Sequence, residues 1–135
     1  MTTNYTCTFI TVAPDSTTSG GTVPPTARTP TAASLQYALL SARPYELTSD
    51  DVLFEVHAAR AGTPEEDRES EREKFFAKDQ ACLRASPLAK RYGWGFHHDE
   101  HARVALVAVG TPLYDELVER PDITKKSAMR STKSR

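Results

Sequence analysis

The chain has 135 residues with a formal net charge of −1, and 39% of the residues are hydrophobic. This length is typical of one domain with its own core, and the balanced charge excludes a global field that attracts nucleic acid or anionic membranes. No apolar run approaches the ~20 residues that span a bilayer, and the first residues lack the pattern of a signal peptide. We therefore expect a cytoplasmic protein that keeps its cysteines reduced and does not bind membranes.

The N-terminal segment predicts a strand followed by a long loop. Residues 4–13 are rich in aromatic and β-branched side chains, which favour a strand covered on both faces, and Cys7 within it is expected to be inert. Residues 14–31 contain four prolines and many Ser and Thr, which is typical of a loop. The sequence leaves open whether this loop is a lid over a binding site or a simple connector.

Two helices are predicted after the loop. Apolar residues recur at helical spacing over residues 31–43, and Pro44 ends this first helix. Residues 48–51 read Thr-Ser-Asp-Asp, a cap with acids in the first turn, and Gly62 ends the second helix. Both helices have an apolar face that can pack on a sheet.

A third helix is predicted over residues 64–76. Residues 63–66 read Thr-Pro-Glu-Glu, which has the pattern of a capping box with Pro at the first helical position. The helix is almost entirely charged until Phe75 and Phe76, so we expect it to be exposed and anchored by these two rings. Ion pairs are expected along the helix itself, between Glu65 and Arg68 and between Glu69 and Arg72.

A short helix and a hairpin follow. Ser86-Pro87 predicts the start of a helix of about two turns. Residues 93–97 and 103–109 predict two antiparallel strands joined at a polar tip, with Trp94 and Phe96 on one face. Because the second of these strands is apolar on both faces, we expect it to lie in the centre of the sheet.

The C-terminal region predicts one more helix and then a basic tail. The helix begins at Thr111-Pro112 and ends before Pro121, and residues 124–135 are basic without an acid. The order of elements shows no repeat and no β-α-β alternation. It therefore predicts an α+β fold, with a small, largely antiparallel sheet and helices packed on it. We expect one globular domain over residues 1–123.

Six segments of the sequence resemble one known family. They are residues 4–10, 23–25, 48–54, 75–78, 82–95 and 128–131. The resemblance covers nearly the whole chain. The family consists of small bacterial proteins and is known as domain of unknown function 6157. The resemblance implies no activity, cofactor or catalytic residue. It does imply that the segment 82–95 and the pair Met129-Arg130 belong to a family pattern.

Residues 82–97 are the most informative segment for function, because they combine a free thiol, three cations, the only tryptophan and a histidine. The cations favour a non-catalytic binding module for an anionic ligand, such as a phosphate-bearing metabolite, a nucleotide or a nucleic acid. The predicted centre is Arg84 beside the helix N-terminus at Ser86, and the alternative is that Arg84 pairs with an acid of the protein itself. Ligand-binding residues are expected to be Arg84, Ser86, Lys90, Arg91, Trp94 and Arg130.

Two other classes of function stay open. A small enzyme would use Cys82 as a nucleophile or His97 as a base, although a free cysteine is more often packed and inert. A homo-oligomeric interaction protein would use the charged helix or an exposed edge strand. Three histidines and two acids over residues 97–101 match no standard zinc spacing, so we expect no metal site, and no motif indicates a cofactor.

Overall fold

The computed structural model describes residues 2–25 and 28–130. Within these ranges the helices are α1 Ala32–Ala42, α2 Ser49–Ala61, α3 Arg68–Ala77, α4 Pro87–Arg91 and α5 Pro112–Glu119. The strands are β1 Thr8–Thr11, β2 Trp94–His98, β3 Val104–Ala108 and β4 Thr124–Ser127, and short 3-10 turns cover Glu65–Asp67 and Leu83–Ala85. In the described part of the chain, every helix is too short or too polar to cross a bilayer.

The four strands form one mixed sheet in the order β3-β2-β1-β4. β1 pairs with β2 and β2 with β3 in antiparallel fashion, whereas β1 and β4 run parallel. Phe9 lies opposite His97, and Phe96 lies opposite both Ile10 and Leu106. The fold is therefore α+β as predicted, and two of the three strand pairings are antiparallel.

Helices cover both faces of the sheet, and alternate strand residues divide between the two faces. On one face the buried side chains contact helices α1, α2 and α4; the group includes Ile10, Phe96, Val104, Leu40, Val52 and Leu88. On the other face α5 and the residues after it complete a smaller core, which includes Phe9, Val107, Tyr114, Leu117 and Ile123. Each face therefore has its own core, and neighbouring strand residues lie in different surroundings.

The prediction that the second hairpin strand lies in the centre of the sheet is wrong, because β3 is an edge strand. It is apolar on both faces because helices pack on both faces, rather than because strands flank it on both sides. Its outer edge is partly covered by residues before α2. The amide of Tyr45 donates to the carbonyl of Val104, and the amide of Val104 donates to the carbonyl of Leu47.

The strand predictions at the two ends of the chain need correction. The predicted strand over residues 4–13 is regular only over Thr8–Thr11, and Cys7 lies before it with a left-handed φ of 46°. The segment predicted as a basic tail from residue 124 contains β4, Thr124–Ser127. The backbone of β4 forms hydrogen bonds with the free edge of β1, and these bonds do not require apolar side chains.

Most of the predicted helix caps are confirmed. Thr48 and Asp51 form a reciprocal capping box at the start of α2, and Gly62 ends this helix in the left-handed conformation. Ser86 caps α4. The predicted capping box at residues 63–66 is wrong, because the amide of Thr63 donates to Ala58 and so closes α2 instead.

Helix α3 packs on α2 through ion pairs as well as through its phenylalanines. None of its residues is buried, and Phe75 and Phe76, which were expected to be its main contacts with the rest of the protein, are only half-buried. Arg68 pairs with Glu55 of α2 in addition to the predicted Glu65. Arg72 pairs with Asp51 of α2 at 2.9 Å instead of with Glu69.

The predicted long loop has no regular structure in its described residues, and part of it packs on β2. The indole Nε1 of Trp94 donates to the carbonyl of Thr22 at 2.8 Å, and the amide of Thr22 donates to the carbonyl of Tyr92. Gly21 lies directly against the indole ring. The loop is therefore held against the start of β2.

Candidate functional site

Three segments that are far apart in sequence meet beside Tyr5. Its hydroxyl lies 3.3 Å from the sulfur of Cys82, and the Nζ of Lys126 lies 5.9 Å from the centroid of its ring. The Nε of Arg84 donates to the carbonyl of Ser127 at 2.7 Å. We call the residues Tyr5, Cys82, Arg84 and Lys126 the Tyr5 cluster.

Local structure fixes the position of Arg84 in this cluster. It lies in the 3-10 turn Leu83–Ala85, which the fully buried Leu83 anchors in the larger core. The segment that follows β4 runs past this turn, because the amide of Met129 donates to the carbonyl of Arg84 at 2.8 Å and Ala128 is buried. The Arg84 guanidinium is thus held by its own turn and by the strand that pairs with β1.

The charged side chains of the Tyr5 cluster, Arg84 and Lys126, are both cations. Among the described residues, no Asp or Glu forms an ion pair with Arg84 or Lys126. Burial, together with Cys82, raises the pKa of Tyr5, while the nearby Arg84 opposes this rise. The Tyr5 hydroxyl therefore keeps its proton at neutral pH and can donate it in a hydrogen bond.

His98 lies behind Tyr5, on the core side of the cluster. It is fully buried, and its ring meets the ring of Tyr5 edge-on with centroids 5.4 Å apart. Neither ring nitrogen has a hydrogen-bond partner of ordinary geometry in the described structure. Burial lowers the pKa of His98 to about 4. The backbone at Thr8 and Phe96 raises this pKa, but by less. The ring is therefore neutral at pH 7.

The structure gives two of the predicted ligand-binding residues partners within the protein. Ser86 is buried, accepts a hydrogen bond from the amide of Leu88 and donates to the side chain of Gln36. The ring of Trp94 packs against Tyr37, with centroids 5.5 Å apart, while its nitrogen is bound by the loop. Both residues therefore have partners that stabilise the fold. In the described structure, neither side chain forms a hydrogen bond with a residue of the Tyr5 cluster.

The other predicted cations lie in two places. Lys90 is half-buried and Arg91 is exposed, both in the last turn of α4. In the described structure no side-chain hydrogen bond or ion pair links either of them to the Tyr5 cluster. Arg130 is exposed and directly follows Met129, whose amide binds the backbone of Arg84. The segment after β4 therefore runs beside the backbone of Arg84.

The structure does not bring Cys82 and His97 together as a nucleophile and its base. His97 lies on the face of the sheet that α5 covers, opposite Phe9, whereas its neighbour His98 lies on the face of Cys82 and Tyr5. The Nδ1 of His97 is 2.8 Å from the hydroxyl of Tyr45. Within residues 2–25 and 28–130, no group of three or more His, Cys, Asp or Glu side chains could hold a metal ion.

Three clefts open on the surface away from the Tyr5 cluster. One of about 270 Å³ is lined by Cys7 and His97. Two larger ones, of about 610 and 650 Å³, are both lined by His57 and Phe75, whose tilted rings lie with centroids 4.7 Å apart. None of the three is lined by Arg84, and the residues of the Tyr5 cluster are half-buried.

Sequence reasoning missed Tyr5 and Lys126 as site residues. Tyr5 lies in the segment 4–10 that resembles the family, so a signal for it was present. Lys126 gave no such signal, because a lysine in a basic segment is usually solvated. The positions of Cys7 and Tyr45 beside His97 also depend on strand register and were not predicted.

A family model described as "Family of unknown function (DUF6157)" matches residues 1–134. The chain belongs to this family, as the resemblance of its segments indicated. No curated protein and no solved structure matches the chain.

Proposed function

We propose that this member of a family without an assigned activity is a binding module for a small anionic ligand, and that the ligand binds at the Tyr5 cluster. The observation that carries the proposal is the half-buried Arg84, which has no carboxylate partner among the described residues. It lies in the same cluster as Lys126 and the protonated hydroxyl of Tyr5. A guanidinium fork matches phosphate and carboxylate groups, and a half-buried cation without a counter-ion binds them more strongly than a solvated one.

Each member of the cluster has a definite role in this proposal. Arg84 supplies planar donors whose orientation is fixed through Ser127. Lys126 adds a second positive charge, and the hydroxyl of Tyr5 adds a neutral donor. Arg130, the residue after Met129, adds a further positive charge to this part of the chain. The residues Ser86 and Trp94 are left out, because their polar atoms already have partners in the protein.

A phosphate-bearing metabolite or a nucleotide fits this site better than a nucleic acid. The net charge of the chain is −1, so no global positive field attracts a phosphate backbone. Two cations and one hydroxyl equal in number the three non-bridging oxygens of a phosphate monoester. The small-molecule ligand is therefore our preferred class, and an oligonucleotide serves as the comparison.

Thermal unfolding with added probes tests the proposal. Inorganic phosphate, pyrophosphate, AMP and a short oligonucleotide are compared at low ionic strength, with calorimetry to give Kd for any probe that stabilises. A ligand at about 100 times its Kd raises the free energy of unfolding by about 2.7 kcal/mol. Absence of stabilisation by all four probes, or stabilisation by the oligonucleotide alone, would contradict a small-anion site.

Variants locate the binding. Lys126→Gln and Arg84→Lys should each weaken binding, the second because it keeps the charge but removes the planar fork. Arg91→Gln removes the same charge from an exposed position on α4 and is the matched control. Equal loss of affinity in Arg91→Gln would show that the ligand senses only the general charge of the protein.

A second candidate function is a small enzyme that acts through Cys82. The observation that favours it is the contact of 3.3 Å between the sulfur and the hydroxyl of Tyr5, beside the cation Arg84. A thiol next to a donor and a cation is in the surroundings that activate a nucleophile. Alkylation of Cys82 in the folded protein near neutral pH supports this candidate, whereas alkylation only on unfolding is evidence against it.

A further inference from the structure

A second cluster of reactive groups lies on the opposite face of the sheet and is independent of the anion site. A cleft of about 270 Å³ opens there beside the start of β1, at the edge of the smaller core. Its lining combines a thiol, an imidazole and charges of both signs. The residues are Cys7, His97, Asp99, Glu100, Arg120, Asp122 and Ile123.

The backbone holds the thiol of this cleft in a fixed place. The amide of Cys7 donates to the carbonyl of Asp99 at 3.0 Å, and its carbonyl accepts from the amide of Thr124 at 2.9 Å. Cys7 is exposed, and its φ of 46° lies in a region that residues other than glycine rarely adopt. An exposed thiol on a backbone fixed by two neighbouring strands is open to reagents from solution.

The imidazole of His97 is suited to accept a proton in the same cleft. Its Nδ1 lies 2.8 Å from the hydroxyl of Tyr45, and when Nδ1 carries the ring proton and donates it to that oxygen, Nε2 is an acceptor without a hydrogen bond in the described structure. Burial, and then the charge of Arg120, lower the pKa of His97, with Asp99 and Asp122 opposing. The ring is therefore neutral at pH 7 and can act as a base.

The charges of the cleft select the kind of molecule that it can hold. Arg120 is close enough to Cys7 for an electrostatic interaction, although Asp122 is its main partner through two hydrogen bonds. Glu100 is exposed, and Asp99 accepts from two backbone amides of the hairpin tip. A cation and carboxylates around one thiol match a zwitterion, which carries an ammonium and a carboxylate group on the same small molecule.

From this arrangement we infer that the cleft is a thiol-exchange site, in which Cys7 reacts with a small zwitterionic disulfide of the cystine type. The thiol proton of Cys7 passes to His97, and the thiolate attacks one sulfur of the disulfide. A new disulfide bond forms between Cys7 and half of the reagent, while the other half leaves as a thiolate and takes the proton from His97. The disulfide reagent is the oxidant, so the exchange needs no other electron acceptor.

The test follows adduct formation by mass spectrometry of the intact protein. The reagents are cystine, the cationic cystamine and the anionic 3,3′-dithiodipropionate, and the proteins are Cys82→Ser, which keeps Cys7, and Cys7→Ser, which keeps Cys82. We expect Cys7 to react faster than Cys82, and cystine to react faster than either the dicationic cystamine or the dianionic 3,3′-dithiodipropionate. Equal rates for the three reagents, or a Cys7 rate no higher than that of an unstructured cysteine peptide, would overturn the inference.

Two variants in the Cys82→Ser protein test the role of His97. Loss of a positioned base should slow the exchange about tenfold or more in His97→Gln, whereas His101→Gln, at an exposed residue of the same hairpin tip, should leave the rate unchanged. Because His97→Gln can disturb the fold, Tyr45→Phe provides a second measurement. It keeps the imidazole, removes the bond that orients it, and should give an intermediate rate. Unchanged rates in both variants would exclude a role for His97, and with it the proposed mechanism.

Discussion

The hydroxyl of Tyr5 lies 3.3 Å from the sulfur of Cys82, which joins residues 77 positions apart in sequence. Burial, together with Cys82, raises the pKa of Tyr5, so the tyrosine keeps its proton at neutral pH and can donate it to the sulfur. A neutral hydroxyl that donates to sulfur stabilises the thiolate, and the thiolate is the reactive form. The contact therefore links the proposed anion site to the reactivity of Cys82.

The first prediction concerns this contact. In a Cys7→Ser background, Tyr5→Phe should slow alkylation of Cys82 by iodoacetamide about fivefold, since one hydrogen bond is worth roughly 1 kcal/mol. The ring is retained, so exposure of the sulfur changes little. Tyr37→Phe is the control, because within the described structure the Tyr37 hydroxyl has no hydrogen bond. Faster alkylation in Tyr5→Phe would show that the hydroxyl shields the thiol instead.

The second prediction concerns acid stability and His98. The pKa of His98 is about 4 in the folded protein and about 6.5 when unfolded. Between these values the unfolded chain binds more protons, so folding stability falls as the pH is lowered from 6.5 to 4, by roughly 3 kcal/mol from this residue. Denaturant unfolding at pH 7, 5.5 and 4.5 measures the loss.

Substitution of His98 provides the matching control for acid stability. His98→Phe keeps the ring shape and removes two buried nitrogens that lack partners, so it should leave stability at pH 7 unchanged or increased. It should also remove most of the loss below pH 6.5. His101→Gln alters an exposed histidine and should keep the acid sensitivity. If His98→Phe is as acid-sensitive as the unmodified protein, other groups dominate the pH dependence.

The third prediction concerns the loop that packs on Trp94. A methyl group at Gly21 would lie 2.8 Å from the indole ring and 2.9 Å from the Cβ of Ala108, whereas one at Gly20 meets nothing within 4 Å. Gly21→Ala should therefore move the loop away from the ring, and Gly20→Ala should not. Because Trp94 is the only tryptophan, its fluorescence reports the change as a red shift. A shift of equal size in both variants would mean that the loop does not pack closely on the ring.

The fourth prediction concerns the packing of α3 on α2. Arg72 pairs with Asp51 and lies over the rings of Phe54 and Phe76, with distances of 5.6 and 5.4 Å to their centroids. Because the side chains of Arg72 and Asp51 are 40% and 34% exposed, solvent screens the pair, and Arg72→Ala should cost only about 1 kcal/mol of stability. Lys74→Ala, at an exposed pair within α3, should cost less than about 0.5 kcal/mol. Equal costs would show that α3 is anchored by its phenylalanines alone.

The sequence was informative where local chemistry determines the structure. The cap at Thr48, the cap at Ser86 and the pairing of residues 93–97 with 103–109 were all predictable, because each depends on a few adjacent side chains. The placement of Trp94 and Phe96 on one face follows from strand alternation alone. These features are independent of how distant segments pack.

Features that depend on distant partners were not predictable. β4 reads Thr-Lys-Lys-Ser, which lacks the apolar alternation of a half-buried strand. This segment is a strand only because it pairs with the free edge of β1. Arg72 was assigned a partner within its own helix because Asp51 lies 21 positions earlier. The convergence of Tyr5 and Arg84 likewise requires knowledge of the tertiary fold.

The parallel pairing of β1 with β4 affects how the protein can be synthesised. β1 comes early in the chain, yet one of its edges has no strand partner until residues 124–127 have left the ribosome. Until then that edge, with Phe9 and Ile10 in it, is a template for other extended chains. Closure of the sheet also joins segments more than a hundred residues apart, which slows folding. Nascent chains halted before β4 should therefore need a chaperone more than the completed protein does.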